Sequence, residues 1–546
     1  MATGSTKRNR KRRPPAGAAR KGAGAAAPGE ADGGGAGGEI PERAWAYASL
    51  AVLLVAAALR LYAPEMKPLH HDEGVNGFFL TNLLRQGRYT YDPGNYHGPT
   101  LYYLTLPFVA LAGLKTFVIR LVPALFGVGT VGLVLSLRRR VGALAALAAA
   151  LLVAVSPACV FYSRYFIHEM PFVFFTLGLV AAALRFQETG AAWHLCLASG
   201  SAAMMFATKE TAFISVGVLG LAWLTAVVWE RVKGGARAGA GVSAGGFRRL
   251  GGGAPAAVAA AAVVFAALWV VFYSSFFTNW KGVFWDSFKA FDIWQKTGMS
   301  EFHSKPRHTY VKWLLEEDGA VLVLGGCGAL VALFERRRNR FALFAAAWGF
   351  GLLAAYSLIS YKTPWLVLNF LVPMAVAGGY AVQAFGGWAA RRLRGMRESP
   401  WPAAAALAAV ACAVGLYQTW VVNFREYDND RYPYVYSQTR REFLDLIAEV
   451  VRVGERAGTK EPGLATASPE YWPLPWYMRD NPHAGFEGHL SSYYDPKSTL
   501  AIIGRDDQLP QLQRVAGESY VRVGGIYPLR PGVNLVLYAR RDLAPR

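Results

Sequence analysis

The 546-residue chain is poor in cysteine and in charge. Its cysteines, Cys159, Cys196, Cys327 and Cys412, all lie in apolar stretches without CxxC spacing, which argues against a disulfide framework or a cysteine metal site. Charged residues make up 17% of the chain against 53% hydrophobic, and the mean hydropathy of +0.23 is above that of most soluble domains. Acids are scarce: 36 Asp and Glu stand against 57 Lys and Arg, for a net charge of +21. Such a balance can mark a nucleic-acid binder, but the cations fall in short clusters between apolar stretches, so no nucleic-acid partner is expected. No Gly-rich loop sits in a strand–turn–helix context, so no nucleotide cofactor is expected either.

What the chain has in abundance is long apolar runs. Stretches of spanning or near-spanning length occur at 45–63, 117–137, 142–161, 170–186, 193–207, 211–229, 255–273, 319–334, 341–359, 364–386 and 402–421. They predict an α-helical polytopic membrane protein with about eleven transmembrane helices. A further run, Leu101 to Leu114, is short and interrupted by Pro107, and reads as an interfacial helix. Residues 1–44 are rich in Gly, Ala, Lys and Arg, and every charged side chain from Lys7 to Lys21 is basic. This composition predicts a disordered cytoplasmic tail. The run from Trp45 to Ala63 lacks a small-residue cleavage pattern after it and reads as an uncleaved anchor.

Loop charge sets the orientation. With the N-terminus inside, the strong basic clusters all fall on one side: Arg138-Arg139-Arg140, Arg185, the 230–254 loop, Arg336-Arg337-Arg338 with Arg340, and Arg391-Arg392 with Arg394. The same alternation places 64–116, 162–169, 208–210, 274–318, 360–363 and everything after 422 outside. Three regions follow: the tail 1–44, a membrane domain 45–421 with a catalytic outside loop 64–116, and an extracytoplasmic domain 422–546. The last shows helical periodicity around Phe443, Leu444, Ile447, Val450 and Val451 and strand-like runs at 500–503 and 534–538, enough for a small α/β domain. Its segment Tyr471-Trp472-Pro473-Leu474-Pro475-Trp476-Tyr477 suits either a membrane or partner face or ordinary packing.

The outside segments hold the chemistry-bearing residues. His70-His71-Asp72-Glu73 follows the first span, where acids beside hydrocarbon are costly unless they function. A carboxylate there can deprotonate an acceptor hydroxyl, and a His/Asp/Glu cluster can hold a divalent metal; capping acids in a solvated loop are the bland alternative. Arg164 with His168 and Glu169, then Lys209 with Glu210, then Lys362, add charge at membrane depth around one outward cavity. His303 and Lys305 sit in a segment that also carries Trp280, Trp285, Trp294 and Trp313, suited to an interface, to stacking on a sugar or to receiving a phosphate.

These residues together resemble a known family. The acidic pair after the first span, His97-Gly98-Pro99-Thr100-Leu101-Tyr102-Tyr103, Arg120-Leu121-Val122-Pro123, the Ser163-Arg164-Tyr165 turn and the Lys362 turn are similar to the GT-C glycosyltransferases of the protein O-mannosyltransferase and ArnT-like group. The resemblance covers about residues 45–390. The combination of His70-His71-Asp72-Glu73-Gly74, His303-Ser304-Lys305-Pro306 and the 471–477 segment is more narrowly similar to a prokaryotic branch labelled flippase-activity-associated.

The resemblance implies a prokaryotic inner-membrane enzyme. It would take a sugar from a polyprenyl-phosphate donor and pass it to an extracytoplasmic protein, lipid or glycan. Asp72 is then the expected general base, with Glu73 assisting, and Arg164, Lys209, Lys362 and His97 are the expected donor-phosphate contacts. His71, His168, Glu169, His303 and Lys305 are further candidates for the site. Where aminoarabinose transferases tend to carry Glu-x-Lys, this chain has Asn95-Tyr96-His97, so His97 stands either for a phosphate-binding lysine or for a metal ligand. Asp72, Glu73, His97 and His303 are ligand types for a divalent metal. The rival functions are a lipid-linked sugar flippase and a non-catalytic assembly subunit. A flippase would favour inverted repeats and mid-membrane charges, and neither is visible.

Overall fold

The computed structural model describes residues 1–4, 40–95, 97–234, 245–298, 304–335, 339–392 and 399–545. Of the tail 1–44, most therefore lies outside the described residues, as do His303, Arg237, Arg336-Arg337-Arg338 and Arg394.

Each expected apolar stretch is helical, but the helices differ in how they cross. Among the described residues eight are long and apolar enough to span a membrane, or up to ten if each of two bent pairs is one span. The expected stretch 193–207 lies in Ala192–Thr208, a helix of 17 residues, about 26 Å at 1.5 Å per residue and at the short end of what crosses a bilayer. The bent pairs are Ala143–Val155 with Pro157–Ser163, at 57°, and Thr309–Glu317 with Gly319–Phe334, at 112°. Ser156-Pro157 explains the first break: Pro157 has no N–H to continue the helix, and the Ser156 hydroxyl caps the new one through Cys159 N–H.

The helix Leu368–Arg392 is the centre of the bundle: every residue from Leu368 to Val382 is buried. Small residues permit the approach of its neighbour: a Cβ on Gly328 would stand 1.9 Å from the Ala377 carbonyl oxygen.

Ion pairs divide the bundle into two ends. At one, Arg138 pairs with Glu42 at 2.6 Å, Arg140 with Glu188 at 2.8 Å and Arg340 with Glu230 at 2.8 Å. Glu42 and Arg340 start helices while Glu188 and Glu230 lie near the ends of others, so these helix ends share one side of the bundle. The opposite helix ends converge on the segments 64–73, 163–169, 208–211 and 359–366. The short helix Ala192–Thr208 runs between the ends, since the chain enters it just past Glu188 and leaves it at Lys209, which pairs with Glu169.

Residues 64–116 are more ordered than a loop. They form the helices His71–Gln86 and Thr100–Ala112, the second a short apolar helix over the run that begins at Leu101. The first was not legible because its face toward the bundle is glycine, asparagine and threonine as much as leucine.

The C-terminal part carries a five-stranded mixed sheet in the order β2-β1-β3-β5-β4. Its strands are β1 Leu464–Thr466, β2 Ala484–Gly485, β3 Ala501–Arg505, β4 Tyr520–Arg530 and β5 Val533–Arg540. β1 pairs parallel with β2 and β3, while β5 pairs antiparallel with β3 and β4. The helix Phe443–Arg456 buries Phe443, Leu446, Val450 and Val453 in the same core as Ile503, Leu535 and Leu537. Leu444 and Val451, read as part of that periodicity, face out at 37% and 49% exposure.

Candidate active site at the mouth of the bundle

The 471–477 segment is a clamp within the chain. It packs on the helix His71–Gln86, where glycines admit it: a Cβ on Gly74 would stand 2.7 Å from Pro473 and one on Gly77 2.6 Å from the Trp476 ring. Trp476 Nε1 donates to Thr116 Oγ1 at 3.2 Å, and the Tyr477 hydroxyl accepts Leu69 N–H at 3.0 Å.

The start of that helix explains the His-His-Asp-Glu run residue by residue. His70 is the N-cap: its Nδ1 accepts Asp72 N–H at 3.1 Å, and its own N–H donates to Glu73 Oε2 at 3.0 Å. Glu73 faces away from solvent. Arg120 Nε and Nη2 reach its two oxygens at 2.7 and 2.6 Å, and Phe166 N–H adds a bond at 2.9 Å. Burial alone would raise this carboxyl, and Arg120 outweighs it, holding the group below its ordinary value. Arg120 also donates to the carbonyls of Pro64, Lys67 and Pro68, so the pair locks the loop after the first span. Glu73 is therefore an anchor that sets the position of its neighbour, and its filled oxygens remove it from the set of candidate metal ligands.

Asp72 points the other way, into a cavity of about 500 Å³. Its side chain is 37% exposed. Burial, then the nearby Glu169 charge, pushes its carboxyl up to about 6. Around it are three further carboxylates, each with a cationic or imidazole partner. Glu169 pairs with Lys209, Glu210 Oε2 meets His97 Nδ1 at 3.0 Å, and Glu470 pairs with Arg530. Asp72 has no guanidinium or ammonium within 4 Å among the described residues. Its nearest cation-forming neighbour is His70 Nδ1 at 3.9 Å, a nitrogen already used as an acceptor.

The rest of the wall is imidazole and aromatic. His71 Nδ1 lies 3.1 Å from Arg530 Nη1, and burial together with that cation pushes the ring down to about 4. His168 Nε2 contacts the Gly98 carbonyl at 3.1 Å, and its ring stands 4.9 Å from that of His97. Trp294, Tyr361, Trp365 and Tyr436 supply flat apolar faces.

The cavity thus gathers His71, Asp72, His97, His168, Glu169 and Lys209 from the expected set. Arg164 lies elsewhere and donates to the Leu59, Tyr62 and Ala63 carbonyls, capping the first span. Lys362 donates to the Ile359 carbonyl. Lys305 sits over the Tyr436 ring, 5.3 Å from its centroid, behind the cavity wall. Two residues were invisible from sequence: Glu470 and Arg530 come from the C-terminal sheet region, the latter 459 residues from His71, and no local pattern marks them. Among the described residues no group of three or more His, Cys, Asp or Glu side chains is arranged to hold a metal.

Residues 96–236 match the family model described as dolichyl-phosphate-mannose-protein mannosyltransferase. The fold also matches solved structures. ArnT from Cupriavidus metallidurans bound to undecaprenyl phosphate aligns with a TM-score of 0.61 at 14% identity, covering 92% of this chain and 99% of that one. This is the GT-C glycosyltransferase fold, of the protein O-mannosyltransferase and ArnT type. The oligosaccharyltransferase of Archaeoglobus fulgidus, AglB, solved with an inhibitory peptide and a dolichol-phosphate, has the same fold. It aligns with a TM-score of 0.52 at 13% identity, covering 88% of this chain and 72% of that one. No curated protein sequence matches the chain. The GT-C bundle and the small C-terminal sheet domain therefore meet at one cavity, with Asp72 on the bundle side and Arg530 on the sheet side.

Proposed function

We propose that this cavity transfers a sugar from a polyprenyl-phosphate donor to a hydroxyl-bearing acceptor on the extracytoplasmic side of a prokaryotic cell membrane. The observation that carries the reading is Asp72: among the described residues its basic neighbour within 4 Å is the His70 nitrogen that already accepts Asp72 N–H, whereas Glu169 and Glu470 each pair with a cation and Glu210 with the His97 imidazole. A carboxylate so placed is open to take a proton, and its raised proton affinity brings it closer to the operating pH of a general base. In the reaction Asp72 removes the acceptor hydroxyl proton as the acceptor oxygen bonds to the anomeric carbon. The bond from that carbon to phosphate oxygen breaks, and polyprenyl phosphate leaves with inversion. Lys209 and Arg530, the cations that face the cavity, receive the charge that develops on the phosphate, with His97 beside them. Trp365, Tyr436 and Trp294 offer faces on which a sugar ring stacks.

Two further facts support the reading. The solved relatives hold polyprenyl or dolichyl phosphates in the same fold, and the basic end of the bundle, the cytoplasmic side by the loop-charge rule, lies opposite the cavity. The test is lipid extraction from a deletion strain. A transferase predicts an accumulated polyprenyl-phosphate sugar that disappears when the wild-type gene is restored but not when Asp72→Asn is supplied. An unchanged lipid pool, or full rescue by that variant, contradicts the reading.

A further inference from the structure

The stretch that follows the helix Ala254–Tyr273 enters the proposed chemistry only through Trp294, yet it shows an unusual surface. Phe277, Trp280, Phe284, Trp285 and Phe288 are each more than half exposed, a patch that proteins rarely leave to water. The helix before it is the reason to look for lipid. Ala254–Tyr273 buries four of its 20 residues, Ala257, Ala261, Phe272 and Tyr273, so most of its apolar surface faces the membrane. It ends on the cavity side of the bundle, where the Tyr273 hydroxyl donates to the Phe206 carbonyl at 2.8 Å, three residues before Lys209.

The chain then folds back on that helix end. A Cβ on Gly282 would stand 1.9 Å from the Tyr273 carbonyl oxygen, and Trp269 Nε1 donates to the Val283 carbonyl at 3.2 Å. A π-helical turn, Gly282–Asp286, leads into the helix Ser287–Gly298. This helix buries Ala290 and sets the Phe291 ring 4.8 Å from that of Phe213. The outward residues sort into two rows. Phe277, Trp280, Phe284 and Phe288 recur at three- and four-residue steps and form an aromatic row. Lys281, Trp285 and Lys289 follow at four-residue steps and form the row beside it. Lys281 and Lys289 are exposed and have no acid partner among the described residues, whereas Lys296 pairs with Asp292 at 2.8 Å. Exposed rings bordered by cations at the end of a span suit a segment lying in the membrane surface.

We propose that residues 277–289 dock on the membrane leaflet at the cavity side and bind anionic phospholipid there. The aromatic row enters the boundary between headgroups and acyl chains, and Lys281 and Lys289 take headgroup phosphates. Two observations point to lipid as the occupant. The aromatic row continues the membrane-facing surface of the helix it folds back on, and the two unpaired ammonium groups border that row where headgroups lie. Trp294, on the same helix as Phe288 and Lys289, lines the cavity. The leaflet therefore supports one wall of the cavity from outside, without touching the reacting groups.

The test places an NBD fluorophore at Phe284→Cys in full-length protein in nanodiscs. Cys196, Cys327 and Cys412, the cysteines that are not buried, are replaced by alanine. In phosphatidylcholine nanodiscs a 5-doxyl phospholipid is expected to quench the label and aqueous iodide is not. At equal mole fraction, doxyl-phosphatidylglycerol is expected to quench about fivefold more effectively than doxyl-phosphatidylcholine, the contribution of about one lysine at an anionic surface. Lys281→Gln/Lys289→Gln is expected to bring the two lipids to parity while quenching by both persists. Should Phe284→Cys fail to fold, Phe288→Cys carries the label on the same row. Quenching by iodide would leave this face in water, and a label reached by neither quencher would put protein over it; either result overturns the proposal. So does parity of the two lipids with both lysines present, or a preference that the lysine variant leaves unchanged.

Discussion

The two ends of the bundle use charge in opposite ways. At the basic end, arginines outnumber their partners and pair in half-exposed positions: Arg340 and Glu230 are 19% and 21% exposed, Arg140 and Glu188 27% and 23%. Such pairs contribute little and are screened by solvent. At the cavity end, most charges are buried and come from separate stretches of chain. Glu73 and Arg120 are both 0% exposed. On the proposed reading, the difference separates charge that orients a chain in a membrane from charge that takes part in transfer. Exposure and partner count, more than residue type, tell them apart.

The contrast can be broken by mutation, and the largest effect is expected at Asp72. Asp72→Asn should lower sugar transfer by about 10²- to 10⁴-fold, the usual worth of a general base, in a protein that remains folded. The sign of its stability effect is also fixed. The folded state holds the Asp72 proton up to about pH 6, above the ordinary 3.8 of an aspartate, so folding binds protons in that window and Asp72 subtracts stability as pH rises through it. Asp72→Asn should therefore raise the melting midpoint at neutral pH. A lowered midpoint there would mean that Asp72 is stabilising and the raised affinity is wrong.

Glu73→Gln tests the neighbour. Leaving Arg120 buried without its charge should cost about 3–5 kcal/mol of stability, read as loss of folded protein in a detergent melt, a phenotype Asp72→Asn should not share. Arg530→Ala, on the C-terminal side of the cavity, should reduce transfer by about tenfold or more through the phosphate it faces, and salt should not mimic it. The pH profile sharpens the same point: transfer should fall on the acid side with a midpoint near 6, the value at which burial and Glu169 set Asp72. The smallest effect is expected at the other end. Arg340→Ala should leave turnover unchanged and cost no more than about 1 kcal/mol.

Much of this was legible in the chain. Apolar length marked the spans, basic loops marked one end, and the family resemblance named Asp72, an acid that the structure places on the cavity. Periodicity failed in particular places for physical reasons. The helix His71–Gln86 hides because it packs through Gly74 and Gly77 against Pro473 and Trp476, so its buried face carries no apolar stripe. Arg164 and Lys362 resembled phosphate ligands by type and location, yet cationic side chains beside helix ends also satisfy backbone carbonyls, and that is where they are spent. Glu470 and Arg530 could not be found at all, because the contact that gives them meaning joins residues 459 positions apart.

The most direct test of the account is transfer in proteoliposomes. A labelled polyprenyl-phosphate sugar is placed on the side of the cavity, and product is measured for wild type, Asp72→Asn and Arg340→Ala. The account predicts transfer by the wild type and by Arg340→Ala and none above background by Asp72→Asn, with all three equally folded. Transfer by Asp72→Asn at the wild-type rate would contradict it.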